Sequence, residues 1–235
     1  MSPSNYNRKP INIMRYVTHD SCSLLLQHTL TGHSGKVMTA KFLGEPSKVV
    51  TGSYDRTLKV WDLRSKSCTQ TKFAGSSCND LVTLDSSGST IISGHLDKRV
   101  RFWDTRADRT ADEIALQGKV TSLDLSKDAY YLLACVRDNS LKMLDLRMKQ
   151  VVGDFGAEDF KVGCDWSRAA FSPDGQYIAA GSADGSVFVW NVGTAKVETV
   201  LKEHTCAVTA VAFYPHGSFM MSVDKSKKAV LWSDV

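Results

Sequence analysis

Along most of this chain apolar and polar residues alternate in short runs, each bounded by Gly, Ser, Asn or Asp. A period of two in runs this short predicts half-buried β-strands. Val49, Val50 and Thr51 read as the end of one strand, and Thr57, Leu58, Lys59, Val60 and Trp61 as the next. Gly52-Ser53-Tyr54-Asp55-Arg56 supplies the small and polar residues of the tight turn between them. The pattern recurs. Residue 97 is Asp with Trp-Asp at 103–104, 138 is Asp with Leu-Asp at 144–145, and 184 is Asp with Trp-Asn at 190–191. A last copy closes at Trp232-Ser233. The anchors 61, 103, 144, 190 and 232 lie 42, 41, 46 and 42 residues apart. A repeat of this length ending in a Trp-Asp-like pair marks a β-propeller blade.

Residues 1–22 mix Ser, Asn, Pro and basic residues without period and read as a disordered arm. From 23 the repeats run on, each with an outer strand, a Gly-His-like turn and three inner strands, ending near Asp62, Asp104, Asp145, Asn191 and Ser233. The fourth carries a longer insertion over 156–165. No helical pattern of useful length intervenes. The fold class is therefore all-β, a WD-repeat β-propeller with five recognisable blades over 23–235. The last repeat stops after its third inner strand, whereas 23–30 form an outer strand with no blade of their own. Pairing the two would close the ring and remove two exposed edges.

Composition narrows the function. The chain has 235 residues, 29 basic and 25 acidic, for a net charge of +4. That excess is too mild for a dedicated nucleic-acid binder, and no nucleic-acid partner is expected. The six cysteines, Cys22, Cys68, Cys78, Cys135, Cys164 and Cys206, form no C-x-x-C pair, which argues against zinc and thioredoxin-like chemistry. They read as reduced, buried thiols of an intracellular protein. No secretory segment or membrane-length apolar run stands in the sequence.

His33, Ser53, Asp55 and Trp61 have the residue types of a hydrolase triad, but a triad also needs an exposed nucleophile, an oxyanion hole and a pocket. A structural reading fits better: hydrogen bonds from Trp to Ser to His to Asp would fasten the outer loop to the blade. Partial copies follow in Asp97 and Trp103, with Ser76 at the His position, and in Asp138, with Leu144 replacing Trp. Ser182, Asp184 and Trp190 make the fourth copy; His204 and Trp232 make the fifth, with Ser226 at the Asp position. No Gly-x-Ser-x-Gly elbow, phosphate-cradling loop or metal-ligand cluster is evident, so no enzyme activity, metal or cofactor is expected. Lys98, Arg99, Arg101, Lys225, Lys227 and Lys228 stand near strand ends and are candidates for an acidic contact, although alternation along the strands favours reading them as solvated edge charges.

Some wording is more particular than a generic repeat. Residues 29–37 (TLTGHSGKV), 55–66 (DRTLKVWDLRSK), 73–80 (FAGSSCND), 171–175 (FSPDG) and 222–232 (SVDKSKKAVLW) together resemble the C-terminal propeller of the autophagy-related protein 16 family, over about residues 28–235. The resemblance implies a cytoplasmic, non-enzymatic scaffold. Its propeller would dock autophagy proteins and adaptors, a proton-pump-linked complex among them, and associate indirectly with membranes where a ubiquitin-like protein is joined to lipid. Asn79 and Lys119 match family partner-binding positions on one face; at a third, Leu96 replaces the family's Phe. The family propeller has seven blades, so the resemblance also implies truncation at the N-terminus. A different class, a propeller serving as ubiquitin-ligase substrate receptor or chromatin reader, would share the repeats but not this wording.

Overall fold

The computed structural model describes residues 11–15, 25–84, 88–107, 110–217 and 219–233, and among these every regular element is a β-strand. The first sheet is β3 (Val37–Leu43), β4 (Glu45–Ser53), β5 (Thr57–Asp62) and β6 (Ser67–Phe73). The second holds β7 (Cys78–Thr83), β8 (Thr90–His95), β9 (Arg99–Asp104) and β10 (Thr110–Ala115). The third holds β11 (Val120–Leu125), β12 (Tyr131–Val136), β13 (Ser140–Asp145) and β14 (Gln150–Phe155). The fourth holds β15 (Ala169–Phe171), β16 (Tyr177–Gly181), β17 (Ser186–Asn191) and β18 (Val197–Lys202). The fifth has three strands, β19 (Val208–Phe213), β20 (Phe219–Asp224) and β21 (Ala229–Ser233). Every pairing is antiparallel and joins neighbours in sequence, as short turns require.

The inner strands β3, β7, β11, β15 and β19 pack each on the next. Apolar clusters fill the spaces between sheets. Val50, Leu58 and Val60 meet Leu81, Ile91 and Trp103, while Leu133, Leu141 and Phe155 meet Ile178, Phe188 and Trp190. A cavity of about 600 Å³ is lined by Lys41, Leu123, Asp124, Arg168 and Ala210, so four sheets face one central space.

Two expectations change at the N-terminal side. The arm expected over 1–22 contains a strand, β1 (Ile11–Arg15), paired with β2 (Leu25–Leu30); residues 1–10 and 16–22 lie outside the described ones. In the structure β2 pairs with β1, and the fifth sheet remains β19-β20-β21 rather than taking β2 as its outer strand. The register explains why β1 suffices. Each outer strand has a one-residue bulge beside the Trp-position residue: Trp61 faces Cys68 but Val60 faces Gln70, and Trp190 faces Val197 but Val189 faces Thr199. On β1, Met14 faces Leu26 and Ile13 faces His28. Thus β2 keeps the outer-strand bulge, and β1 stands where a third strand would. A partner so near in sequence costs less loop entropy than closure onto a distant sheet.

The cysteines divide. Cys78, Cys135 and Cys164 are buried as expected, and burial pushes the Cys135 thiol up to about 12. Cys68 is exposed on the outer strand β6 and Cys206 in the turn between β18 and β19, and Cys22 lies outside the described residues.

Candidate functional site

The polar fasteners exist, but with different members. In the first sheet Trp61 Nε1–H donates to Thr51 Oγ1 at 2.8 Å, and the Thr51 hydroxyl meets His33 Nε2 at 2.7 Å. His33 Nδ1–H donates to Asp55 Oδ2 at 2.7 Å. Asp55 also accepts the Ser34 amide and the Thr57 amide and hydroxyl. The hydroxyl link is therefore Thr51, not Ser53, which only accepts the Asp55 amide at 3.1 Å. Positions 51 and 53 share one face of β4, and only the inner one reaches the Trp61 indole. Burial, partly offset by the Asp55 carboxylate, holds His33 below its usual range, so the ring is neutral with its proton on Nδ1. Thr51 is fully buried and His33 nearly so. A hydroxyl enclosed in this way cannot meet a substrate, and the arrangement is a fastener.

The fifth sheet repeats it with a substitution. His204 Nδ1–H donates to Asp224 Oδ2 at 2.8 Å, and Ser222 links His204 Nε2 at 2.6 Å to the Trp232 indole at 2.8 Å. The carboxylate is thus Asp224, at the end of β20, and Ser226 in the Asp55-like place donates its hydroxyl to that carboxylate at 2.7 Å. The Ser226 hydroxyl, with further turn amides, holds Asp224 well below the usual carboxylate range.

The second sheet rewires the histidine. His95, from strand β8 itself, takes the Ser93 hydroxyl at 2.7 Å, and the Trp103 indole donates to that same oxygen at 2.7 Å. Asp97 turns away to pair with the Arg101 guanidinium at 2.5 Å. Arg101, expected as a solvated edge charge, is therefore mostly buried. Sequence reasoning missed His95, although its place two residues before Asp97 was a visible signal. Burial, reinforced by Arg101, lowers His95 to about 4.

The third and fourth sheets lack the chain of bonds. Asp138 holds the Ser140 amide and hydroxyl, and Asp184 does the same for Ser186. Ser182 accepts the Lys161 amide rather than the Trp190 indole, which donates to the Gly156 carbonyl at 3.3 Å. The position matching Thr51 is Ala180, so no hydroxyl is available there. The 156–165 insertion compensates by driving Phe160 against Trp190, ring centroids 5.0 Å apart and nearly perpendicular.

One end of the molecule is built by a repeated backbone bond. Tyr54, Leu96, Arg137, Ala183 and Lys225 each donate their amide to the carbonyl of Lys36, Ser77, Lys119, Lys161 and Ala207 respectively, at 2.8–3.1 Å. This turn-bearing end gathers the three expected partner-binding residues, in different states. Lys119 is half-exposed, with its ammonium 3.9 Å from Asp165. Leu96 is partly exposed, and Asn79 is buried, its amide donating to the Val120 carbonyl at 2.7 Å. The Asn79 side-chain oxygen is buried without a partner among the described residues. Asn79 therefore joins the second sheet to the third, directly beside Lys119.

A sequence model of the WD domain, G-beta repeat, matches residues 25–62, 66–104, 114–145, 161–191 and 195–233, five segments that each end with the third strand of a sheet. The chain is a WD-repeat protein. It is 42% identical over 212 residues to Protein tipD of Dictyostelium discoideum, covering 88% of this chain and 34% of that protein. It is 37% identical over 216 residues to Autophagy-related protein 16 of Arabidopsis thaliana, covering 91% of this chain and 42% of that protein. Protein Atg16l2 of Mus musculus matches at 47% over 166 residues, 70% of this chain and 26% of its own length. These matches fall in the WD region of the relatives, and this WD-repeat chain spans well under half their length. Among the described residues no cluster of three His, Cys, Asp or Glu is placed to hold a metal ion, and no helix is long and apolar enough to cross a membrane.

Proposed function

We propose that this chain is a non-enzymatic docking platform of the autophagy machinery, acting in the cytoplasm and at autophagic membranes. The observation that carries the reading is the similarity to Autophagy-related protein 16 over 91% of the chain, across all five sheets. The fasteners support it, since the Ser, Thr, His and Asp groups that could suggest catalysis are buried in mutual hydrogen bonds. Rigid sheets with exposed end loops are a scaffold on which loops bind. The partners are autophagy proteins and adaptors, a proton-pump-linked complex among them. Through them the chain helps direct attachment of a ubiquitin-like protein to membrane lipid. Lys119 and Leu96 are the contact residues on the turn-bearing end, and Asn79 supports them from beneath.

A fluorescently tagged chain in starved cells is expected to gather at forming autophagosomes and to co-precipitate autophagy adaptors. A diffuse distribution in starved cells, with no adaptor recovered, would refute the reading.

A further inference from the structure

The inference rests on the docking reading above and names the chemistry of a partner for the turn-bearing end. Trp166 follows the inserted loop and stands 54% exposed, although the loop that carries it is rigidly built. Phe160 and Val162 are buried, the Val162 amide donates to the Asn139 side chain at 3.0 Å, and the Arg137 guanidinium donates to the Val162 carbonyl at 2.7 Å. An indole held out by a fixed loop is a pre-organised contact, and Trp is enriched among the few residues that dominate binding.

Its surroundings come from several sheets. The Lys225 ammonium of the fifth lies 5.9 Å from the Trp166 ring centre. Asp165, next to it in sequence, is reached by Arg137 at 3.4 Å and Lys119 at 3.9 Å, both from the third. Tyr54 of the first stands close enough for the Asp165 charge to add to burial in raising its phenol. Among the described residues Lys225 has no carboxylate within ion-pair distance, and Lys119 and Arg137 share a single one. The carboxylates of the neighbouring turns keep their charge and are held by hydrogen bonds, Asp55 to His33 and Thr57, Asp138 to Ser140 and Asp184 to Ser186. Around the aromatic anchor, Lys225, Lys119 and Arg137 thus set three positive charges against the one carboxylate, Asp165, that the last two pair with.

We propose that this patch, centred on Trp166, binds an acidic segment of a partner protein. An aromatic or proline side chain of the segment packs on the indole, while its carboxylates meet Lys225, Lys119 and Arg137. The aromatic contact fixes the register, and the cations select against basic segments and speed the encounter.

The test is a random peptide display library panned on the purified full chain, followed by fluorescence anisotropy with the enriched peptides. Enriched peptides are expected to carry net negative charge and an aromatic residue or proline. Their affinity should fall at least tenfold in Trp166→Ala and in Lys225→Glu, with unchanged melting temperature, and weaken as salt rises. Enrichment of neutral or basic peptides, no enrichment, or equal binding by the two variants would overturn the proposal. So would pelleting with phosphatidylserine-containing vesicles that the variants abolish while no acidic peptide is selected, since the patch would then serve a membrane. Starved cells separate this from the broader reading. Wild-type chain that gathers at autophagosomes but selects no acidic peptide sinks the patch alone, whereas acidic-peptide binding by a chain that stays diffuse sustains the patch and sinks the autophagy role.

Discussion

The Asp80 carboxylate of the second sheet forms an ion pair with the Arg168 guanidinium beside the fourth at 3.4 Å. The same carboxylate accepts the Thr39 hydroxyl of the first sheet at 2.9 Å and the Leu123 amide of the third at 3.1 Å. One buried side chain thus touches four sheets. Asp80→Ala strands the Thr39 hydroxyl and the Leu123 amide in a dry interface. Half-exposed Arg168 is screened by solvent and adds little. A loss of about 2–4 kcal/mol is expected from the two orphaned groups, and Asp80→Asn, which keeps one acceptor, should lose less. Urea denaturation of the three proteins measures it.

The fastener of the first sheet gives a paired test. Thr51→Val leaves the Trp61 indole N–H and His33 Nε2 without partners and should cost about 2–4 kcal/mol. Ser53→Ala removes only the acceptor of the Asp55 amide and should cost about 1 kcal/mol. Equal losses in denaturant melts would mean that the hydroxyl link is misassigned.

Stability should fall on mild acidification. His95 sits at about 4 when folded, against about 6.5 in an unfolded chain. The unfolded state therefore binds the extra proton first. The contribution of His95 is complete above the unfolded value and is lost as pH falls from there toward 4. Burial shifts His33 in the same direction. Between pH 7.5 and 5 the His95 share is about 2 kcal/mol. Denaturant midpoints at both pH values should converge less in wild type than in His95→Gln, where that slope is removed.

Phe160 should matter more than any loop residue around it. Phe160→Ala opens a cavity beside Trp190 and Phe188, whose rings it meets edge-on, at a cost of about 3–5 kcal/mol. Hydrogen exchange should show the loss of protection centred on the fourth sheet.

Asn79 and Lys119 should separate stability from binding. Asn79→Ala removes the bond to the Val120 carbonyl and is expected to lower the melting temperature along with adaptor binding. Lys119→Glu, at an exposed position, should weaken adaptor binding with the melting temperature unchanged. If Asn79→Ala weakens binding at full stability, the buried role assigned to it is wrong.

Much of the fold was legible because alternation and turn chemistry act locally. The strands around 49–61, 91–103 and 178–190 fall where those signals put them. The fasteners were harder, since a period of two puts Thr51 and Ser53 on one face, as it does Ser222 and Asp224, and only depth in the packing decides between them. His95 replaces a loop histidine from within a strand, signalled only by its place two residues before Asp97, and Phe160 replaces a polar bond with an aromatic edge, which leaves no trace in spacing. The β1 pairing was illegible for another reason. Residues 11–15 lack the wording of a repeat, and only the bulge at Gln27 of β2 reveals which strand they imitate.

The repeated backbone bond at the turn-bearing end is followed by a conformational cost. In three of the five turns beyond it, the residue in left-handed conformation is Arg56, Lys98 or Lys227, with φ of 66°, 68° and 75°. Glycine or asparagine would relieve about 1 kcal/mol at each. Three long cations are thereby held at the corners of one end of the molecule against a backbone preference for smaller residues, so replacing them with glycine would trade surface charge for an easier turn.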